Sequence, residues 1–310
     1  MKKLCLTLVF LVSSAFNCQA TRVVLDNVPQ YDHLWDPIPG WNGCTPRAAG
    51  SLMAYWDSQP GFGNLYKKGD AQVWGGDVTQ GTRRMVASQR YSNNDLDPSD
   101  CLSSFLGTNR SGGTQPINIR SGLEGFAEWD DTSTYDMKDA YQANTSKYDV
   151  SGGSLYISDS FGIFKSEIDA GRPVLMTVKG YNTSHSVLAY GYDDDITYDL
   201  YDVDLGKWVT MPAFAVMDTW VDNTGNGSRW WNWEDHGNGW ELTAVEEIFD
   251  GGHEWWPFFP HSNFYMGGDD ANMEWQVSEM YTLELEPVPE PTTILLFALG
   301  GVMLRRKHRV

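Results

Sequence analysis

The sequence predicts an α+β fold in which one buried, cysteine-bearing helix packs on a small antiparallel sheet. Three observations carry that expectation. Ala48, Ala49, Leu52, Met53, Tyr55 and Trp56 recur at helical spacing directly after Cys44. Val174 to Val178 and His185 to Tyr192 are strand-like apolar runs separated by the turn residues Gly180-Tyr181-Asn182-Thr183. Before the first of them, Phe161, Ile163, Phe164, Ile168 and Ala170 form a broad helical face that stops at Gly171-Arg172-Pro173.

Both ends of the chain read as addresses. Met1-Lys2-Lys3, an apolar run from Leu4 to Val12 and small residues ending at Ala20 have the layout of a secretory signal peptide over residues 1–20. The run is too short for a spanning helix, which needs about 20 apolar residues. Asn17 before Cys18, where a small residue belongs, argues against a lipoprotein signal. At the other end, Pro287-Val288-Pro289-Glu290-Pro291 leads into apolar residues Ile294 to Leu304 and then Arg305-Arg306-Lys307-His308-Arg309. The basic cluster favours the cytoplasmic side and the apolar run the membrane. Together these features of residues 287–310 resemble the PEP-CTERM sorting tail. The resemblance implies an exosortase-type partner, a precursor tethered in the inner membrane of a Gram-negative bacterium, and an extracellular or outer-surface product. An ordinary membrane anchor is the alternative.

The region between, residues 21–286, is long enough for one large domain. It retains 16 basic and 40 acidic residues, a net charge of −24. Such a surface repels nucleic acid and anionic lipid, and excludes neither peptides nor sugars as substrates. Of the four cysteines, Cys44 and Cys101 lie in this region. In an exported protein a disulfide between them is a rival to any chemistry at Cys44. No CxxC pair or zinc-spaced Cys/His cluster is present, so no metal and no cofactor are expected.

Taken in order, Arg22 to Tyr31 reads as a short strand stopped by Pro29, followed by a loop rich in Trp, Pro and Gly as far as Asn42. Thr45 is a good N-cap residue and Pro46 suits the first helical position, which places Cys44 just before the helix. Residues 58–115 predict loops with short helices near Gln80–Gln89 and Pro98–Leu106, and Gly122 to Trp129 is a further helix candidate. The helix over Ser158 to Ala170 leads into the two strands. His185, Val187, Ala189 and Gly191 share one strand face, whose small residues leave room for a helix. Asp193-Asp194-Asp195 reads as a turn, Ile196–Val203 with Trp208–Met211 as a hairpin, and Phe214 to Asp218 as a strand ending in an acid.

Helix entry favours the thiolate of Cys44, because the positive end of the helix dipole faces it. A thiol of pKa about 8.5 is mostly protonated at neutral pH, so an imidazole that takes its proton makes it a nucleophile. A third group on the other ring nitrogen fixes the tautomer. Asp218, Asp193, Asp194, Asp202 and Asp204 are the acids available near a His185 strand.

Gly43-Cys44-Thr45-Pro46, Ile168-Asp169-Ala170-Gly171-Arg172-Pro173-Val174, His185 opening the strand to Gly191-Tyr192, and Asp218-Thr219-Trp220 occur in that order. Together they resemble the bacteriocin-processing, double-glycine-leader peptidase-like branch of papain-fold cysteine peptidases, over roughly residues 23–222. The resemblance implies a papain-like fold with Cys44 as nucleophile, His185 as base and Asp218 orienting the imidazole. It implies hydrolysis of a peptide or protein substrate through a thioester acyl-enzyme. One departure concerns the oxyanion donor, usually a glutamine a few residues before the nucleophile. Gln30 is fourteen positions upstream, so Gln30, Asn42 and the Cys44 backbone N–H are the candidates, Gln30 first.

Residues 220–286 are rich in Trp and Gly, with Trp230, Trp231, Trp233, Trp240, Trp255, Trp256 and Trp275. Such rings either fill a core or stack on sugars. Asp222-Asn223-Thr224-Gly225-Asn226-Gly227 resembles a calcium loop but has Trp233 at the twelfth position, where an acid belongs. Two other functions stay open: an amidase acting on cell-wall peptide crosslinks, and an inactive papain-like scaffold in a surface or matrix protein.

Overall fold

The computed structural model describes residues 22–29, 43–66, 85–87, 101–108, 113–130, 139–150, 157–179, 184–202, 207–217, 248–250, 253–258, 264–265 and 276–288. Residues 1–20, read above as a signal peptide, residues 289–310 of the tail and most of the Trp-rich part lie outside them. Helix α1 (Cys44–Ser58) is buried from Thr45 to Trp56. A helix buried on all sides needs partners on all sides, and its apolar cluster takes in a sheet and two further helices. These are α2 (Leu102–Phe105) and α3 (Pro116–Glu128). The second begins earlier than its apolar spacing suggests, because Pro116 occupies the first helical turn, where a missing N–H costs nothing. Of the expected 80–89 helix only residues 85–87 are described.

The sheet is larger than expected: among the described residues it has nine strands, all paired antiparallel. They are β1 (Arg22–Val24), β2 (Tyr141–Asp149), β3 (Val174–Lys179), β4 (Ser184–Asp202), β5 (Lys207–Met217), β6 (Ile248–Asp250), β7 (His253–Pro257), β8 (Phe264–Tyr265) and β9 (Gln276–Pro287). Their order is β2-β9-β3-β4-β5-β7-β6, with β1 and β8 also paired to β4. The class is therefore mixed helix and antiparallel sheet, as the sequence predicts.

Helices cover both faces. On one side Leu175, Leu188, Tyr190, Ala215, Tyr281 and Leu283 pack with α1, α2 and α3. On the other, Met176, Val187, Ala189, Phe214, Val216 and Met280 pack with Phe161, Phe164 and Ile168 of α4 (Ile157–Asp169). Full burial of one such side chain stabilises the fold by about 1.5–3 kcal/mol. The His185-Val187-Ala189 row thus meets α4 through Val187 and Ala189, while α1 lies on the alternate row. Gly191 makes room for a strand rather than a helix. A Cβ there would stand 2.7 Å from the Val23 carbonyl oxygen of β1.

Two expected breaks differ. α4 does stop just before Gly171, which takes the left-handed φ of +75° and whose carbonyl accepts a 2.9 Å hydrogen bond from the Tyr55 hydroxyl of α1. Asp193-Asp194-Asp195, in contrast, does not turn the chain. The strand continues from Ser184 to Asp202, and the pairing with β5 jumps from Asp193↔Ala213 to Thr197↔Pro212, so three extra residues bulge out of β4. The Asp193 carboxylate caps this bulge by accepting from the Asp195 N–H at 2.8 Å and from Arg22 at 2.5 Å. Trp255 is fully buried on β7, a core role rather than a sugar platform.

Candidate active site

α1 begins two residues earlier than the capping pattern suggests. Gly43 is the N-cap, without a side-chain cap, and the Arg47 N–H reaches its carbonyl at 3.1 Å. Cys44 is therefore the first helical residue, and Thr45 and Pro46 lie inside the first turn. The helix tolerates Pro46 there because the first four N–H groups have no intrahelical partner. Released from capping, the Thr45 hydroxyl crosses to β4 and lies 2.7 Å from Ser186 Oγ.

This contact joins the start of α1 to the start of β4, and it brings Cys44 to His185. Cys44 is half-buried and His185 buried. Burial, the largest single influence, pushes the thiol up, but the hydrogen bond and charge of the adjoining His185 lead the groups that together outweigh it. The Ser186 N–H and the Thr45 hydroxyl, 3.9 Å from the sulfur, act in the same direction. The balance leaves Cys44 at about 7, below an ordinary 9.0. His185, the Ser186 N–H and the Thr45 hydroxyl each favour the charged sulfur, which is what an attacking thiolate requires.

Cys44 and Cys101 are both free thiols, so the disulfide reading does not hold. Cys101 is fully buried at the start of α2, with its sulfur 3.3 Å from Ser104 Oγ. Asp193 and Asp194 are taken by Arg22 and Lys165. Eight residues of strand separate Asp193 from His185, roughly 25 Å at the usual rise. Asp202 is farther still along β4, paired with Lys207. None of these three reaches the imidazole. Gln30, Asn42, Asp204 and Asp218 lie outside the described residues. Thr45 and Ser186 escape a reading by motif because they are 141 positions apart and meet only in the fold. Among the described residues no group of His, Cys, Asp and Glu could hold a metal ion.

The description of the Peptidase C39 like family matches residues 25–247, most of the chain and all of the candidate site. The chain belongs to that family. Family membership makes peptide hydrolysis the activity to which this pairing of thiol and imidazole is referred. A PEP-CTERM protein-sorting motif matches residues 287–307, and implies an exported precursor, anchored in a membrane and then processed by an exosortase-type system. No curated protein matches the chain. No helix among the described residues is long and apolar enough to cross a membrane.

Proposed function

We propose that the protein is an exported cysteine peptidase of papain-like fold, acting through Cys44, His185 and Asp218. The observation that carries this reading is the apposition of Cys44, at the first turn of a buried helix, to His185 at the start of β4. In the proposed reaction His185 takes the thiol proton and the sulfur attacks the scissile carbonyl. The imidazolium then protonates the leaving amine, and water hydrolyses the thioester. Asp218 follows Met217 in the chain, and Met217 pairs with Leu188, three residues beyond His185. That register supports Asp218 as the group on the second ring nitrogen. Cys44 N–H, at a helix start with no intrahelical acceptor, supplies one oxyanion donor, and Gln30 is the proposed second.

In this reading residues 1–20 are removed on export, 21–286 form one domain, and 287–310 are the sorting tail of an envelope protein of a Gram-negative bacterium. The continuation of β9 to Pro287, where the sorting motif starts, supports that boundary. An electrophilic peptide probe tests the assignment. It should label Cys44 in the folded chain and fail to label Cys44→Ala or His185→Ala. Equal labelling of His185→Ala would remove the base and the reading with it.

A further inference from the structure

Thr45 has no capping role in its own helix. Hydroxyls near a helix start ordinarily bond the first-turn N–H groups, but α1 has no side-chain cap. The Thr45 hydroxyl instead has two neighbours outside the helix backbone, Ser186 Oγ at 2.7 Å and the Cys44 sulfur at 3.9 Å. Thr45 and Ser186 are each only 3% exposed, so water does not compete for these groups.

Two hydroxyls that share one hydrogen bond have one proton left to donate. Charge decides where it goes. A thiolate repels an oxygen lone pair and attracts an O–H, so the favoured order is Ser186 O–H to Thr45 Oγ1 and Thr45 O–H to Cys44 Sγ. Donors in a chain polarise one another, and a low local dielectric strengthens each. Ser186 also offers its backbone N–H to the same sulfur. It therefore acts on the thiolate twice, directly through the main chain and through Thr45.

The geometry points to Thr45 and Ser186 as a positioning pair: their hydroxyls lock the first turn of α1 to the start of β4 and deliver one O–H to the Cys44 sulfur. An apolar contact of the same shape would hold the helix equally well but would orient no proton. This inference rests on Cys44 being the nucleophile and adds two residues to the machinery that prepares it.

The test is iodoacetamide alkylation of Cys44 in the full chain, followed across pH by mass mapping of the Cys44 peptide. Wild type, Thr45→Val, Ser186→Ala, the double variant and Thr45→Ser are compared, with near-UV circular dichroism reporting the fold. Thr45→Val should move the alkylation midpoint upward by about one pH unit, a roughly tenfold slower reaction at pH 6. Ser186→Ala should move it in the same direction. The double variant should be no slower than Thr45→Val, because the Ser186 hydroxyl acts on the sulfur only through the Thr45 O–H, which that variant already lacks. Thr45→Ser should keep the wild-type profile. An unmoved profile in folded Thr45→Val, or a Thr45→Ser shift equal to that of Thr45→Val, overturns the pair. Additive single effects overturn the relay as well. Should Ser186→Ala not fold, the comparison of Thr45→Val with Thr45→Ser decides alone. A wild-type midpoint at the ordinary thiol value is a different failure: it overturns the nucleophile assignment, and the positioning pair with it.

Discussion

Arg22 of β1 donates to the carboxylate of Asp193 on β4 at 2.5 Å, and its guanidinium lies 5.1 Å from the centre of the Trp255 ring. The Asp193 side chain is 5% exposed and that of Arg22 38%. Burial opposes the Asp193 charge, yet the Asp195 N–H and the Arg22 guanidinium hold its carboxyl below the ordinary 3.8. A carboxyl depressed on folding stabilises the folded state above its unfolded value, and that contribution is lost as pH falls through the folded value. Asp193→Asn should therefore cost about 1–2 kcal/mol at neutral pH, at the lower end because Arg22 is partly screened by water. The difference from wild type should shrink as pH falls below 3.8 and vanish once pH is below the depressed folded value. Urea titrations at two pH values check it. Cys44 alkylation should be unchanged, since Asp193 is remote from the site.

Thiol reactivity provides the second expectation. With Cys44 at about 7, its alkylation rate should rise through neutrality, well before an ordinary thiol ionises. His185→Ala removes the main counterweight to burial and should slow alkylation at pH 7 by roughly tenfold or more. Cys101, fully buried, should label only after denaturation. Rapid labelling of native Cys101 would contradict its placement.

Turnover separates the acids. On the proposed assignment Asp218→Ala should lower kcat by roughly a hundredfold or more while leaving KM nearly unchanged, because the group acts in the transition state. Asp193→Ala should keep normal turnover in the folded fraction. The reverse pattern, read from progress curves on a peptide substrate, would move the third role away from Asp218.

Gly191 offers a purely steric check. Its missing Cβ would meet the Val23 carbonyl oxygen at 2.7 Å and Val24 Cα at 3.0 Å, both backbone atoms that cannot rotate aside. Gly191→Ala should displace β1 and cost about 1–3 kcal/mol. Because that also pulls Arg22 from Asp193, combining it with Asp193→Asn should cost less than the sum. Strict additivity in denaturation would show that β1 stays in place.

The tail can be tested in a host that has the sorting enzyme. Pro287, Pro289 and Pro291 disfavour a helix at the sorting motif on sequence grounds, which suits the proposed recognition by a sorting protease. Replacing Pro289-Glu290-Pro291 by alanines should leave full-length protein in the membrane fraction. Release at the normal size would show that this triplet is not what the sorting enzyme reads.

Much of the fold is legible where burial leaves a period. α1, α4 and β3 follow from apolar spacing, and Cys44 and His185 follow from their positions at the starts of such elements. The start of α1 is misjudged because Thr45 is a good cap by type, and its hydroxyl is claimed by Ser186 only in the folded chain. Asp193-Asp194-Asp195 has turn chemistry, but Arg22, distant in sequence, lets it stay in a strand. β2 is hidden because its polar residues alternate at a half-exposed position beside β9. β9 does carry a signal, with Tyr281, Leu283 and Leu285 alternating with Thr282, Glu284 and Glu286. The Trp-rich composition before it obscures that alternation. Of the candidate site, the thiol and imidazole are legible and their hydroxyl support is not.

β9 lies between β2 and β3, inside the sheet rather than at its margin, although it is the last of the described strands along the chain. Its neighbour β3 supports β4, which carries His185. On the proposed export reading, a chain threaded from its N-terminus presents β9 after every other described strand. Until then β2 and β3 have no partner between them, and the most non-local pairings of the sheet cannot close. On that reading the order of threading thus acts as a timer: the strand that carries His185 gains its full sheet only once β9 has arrived.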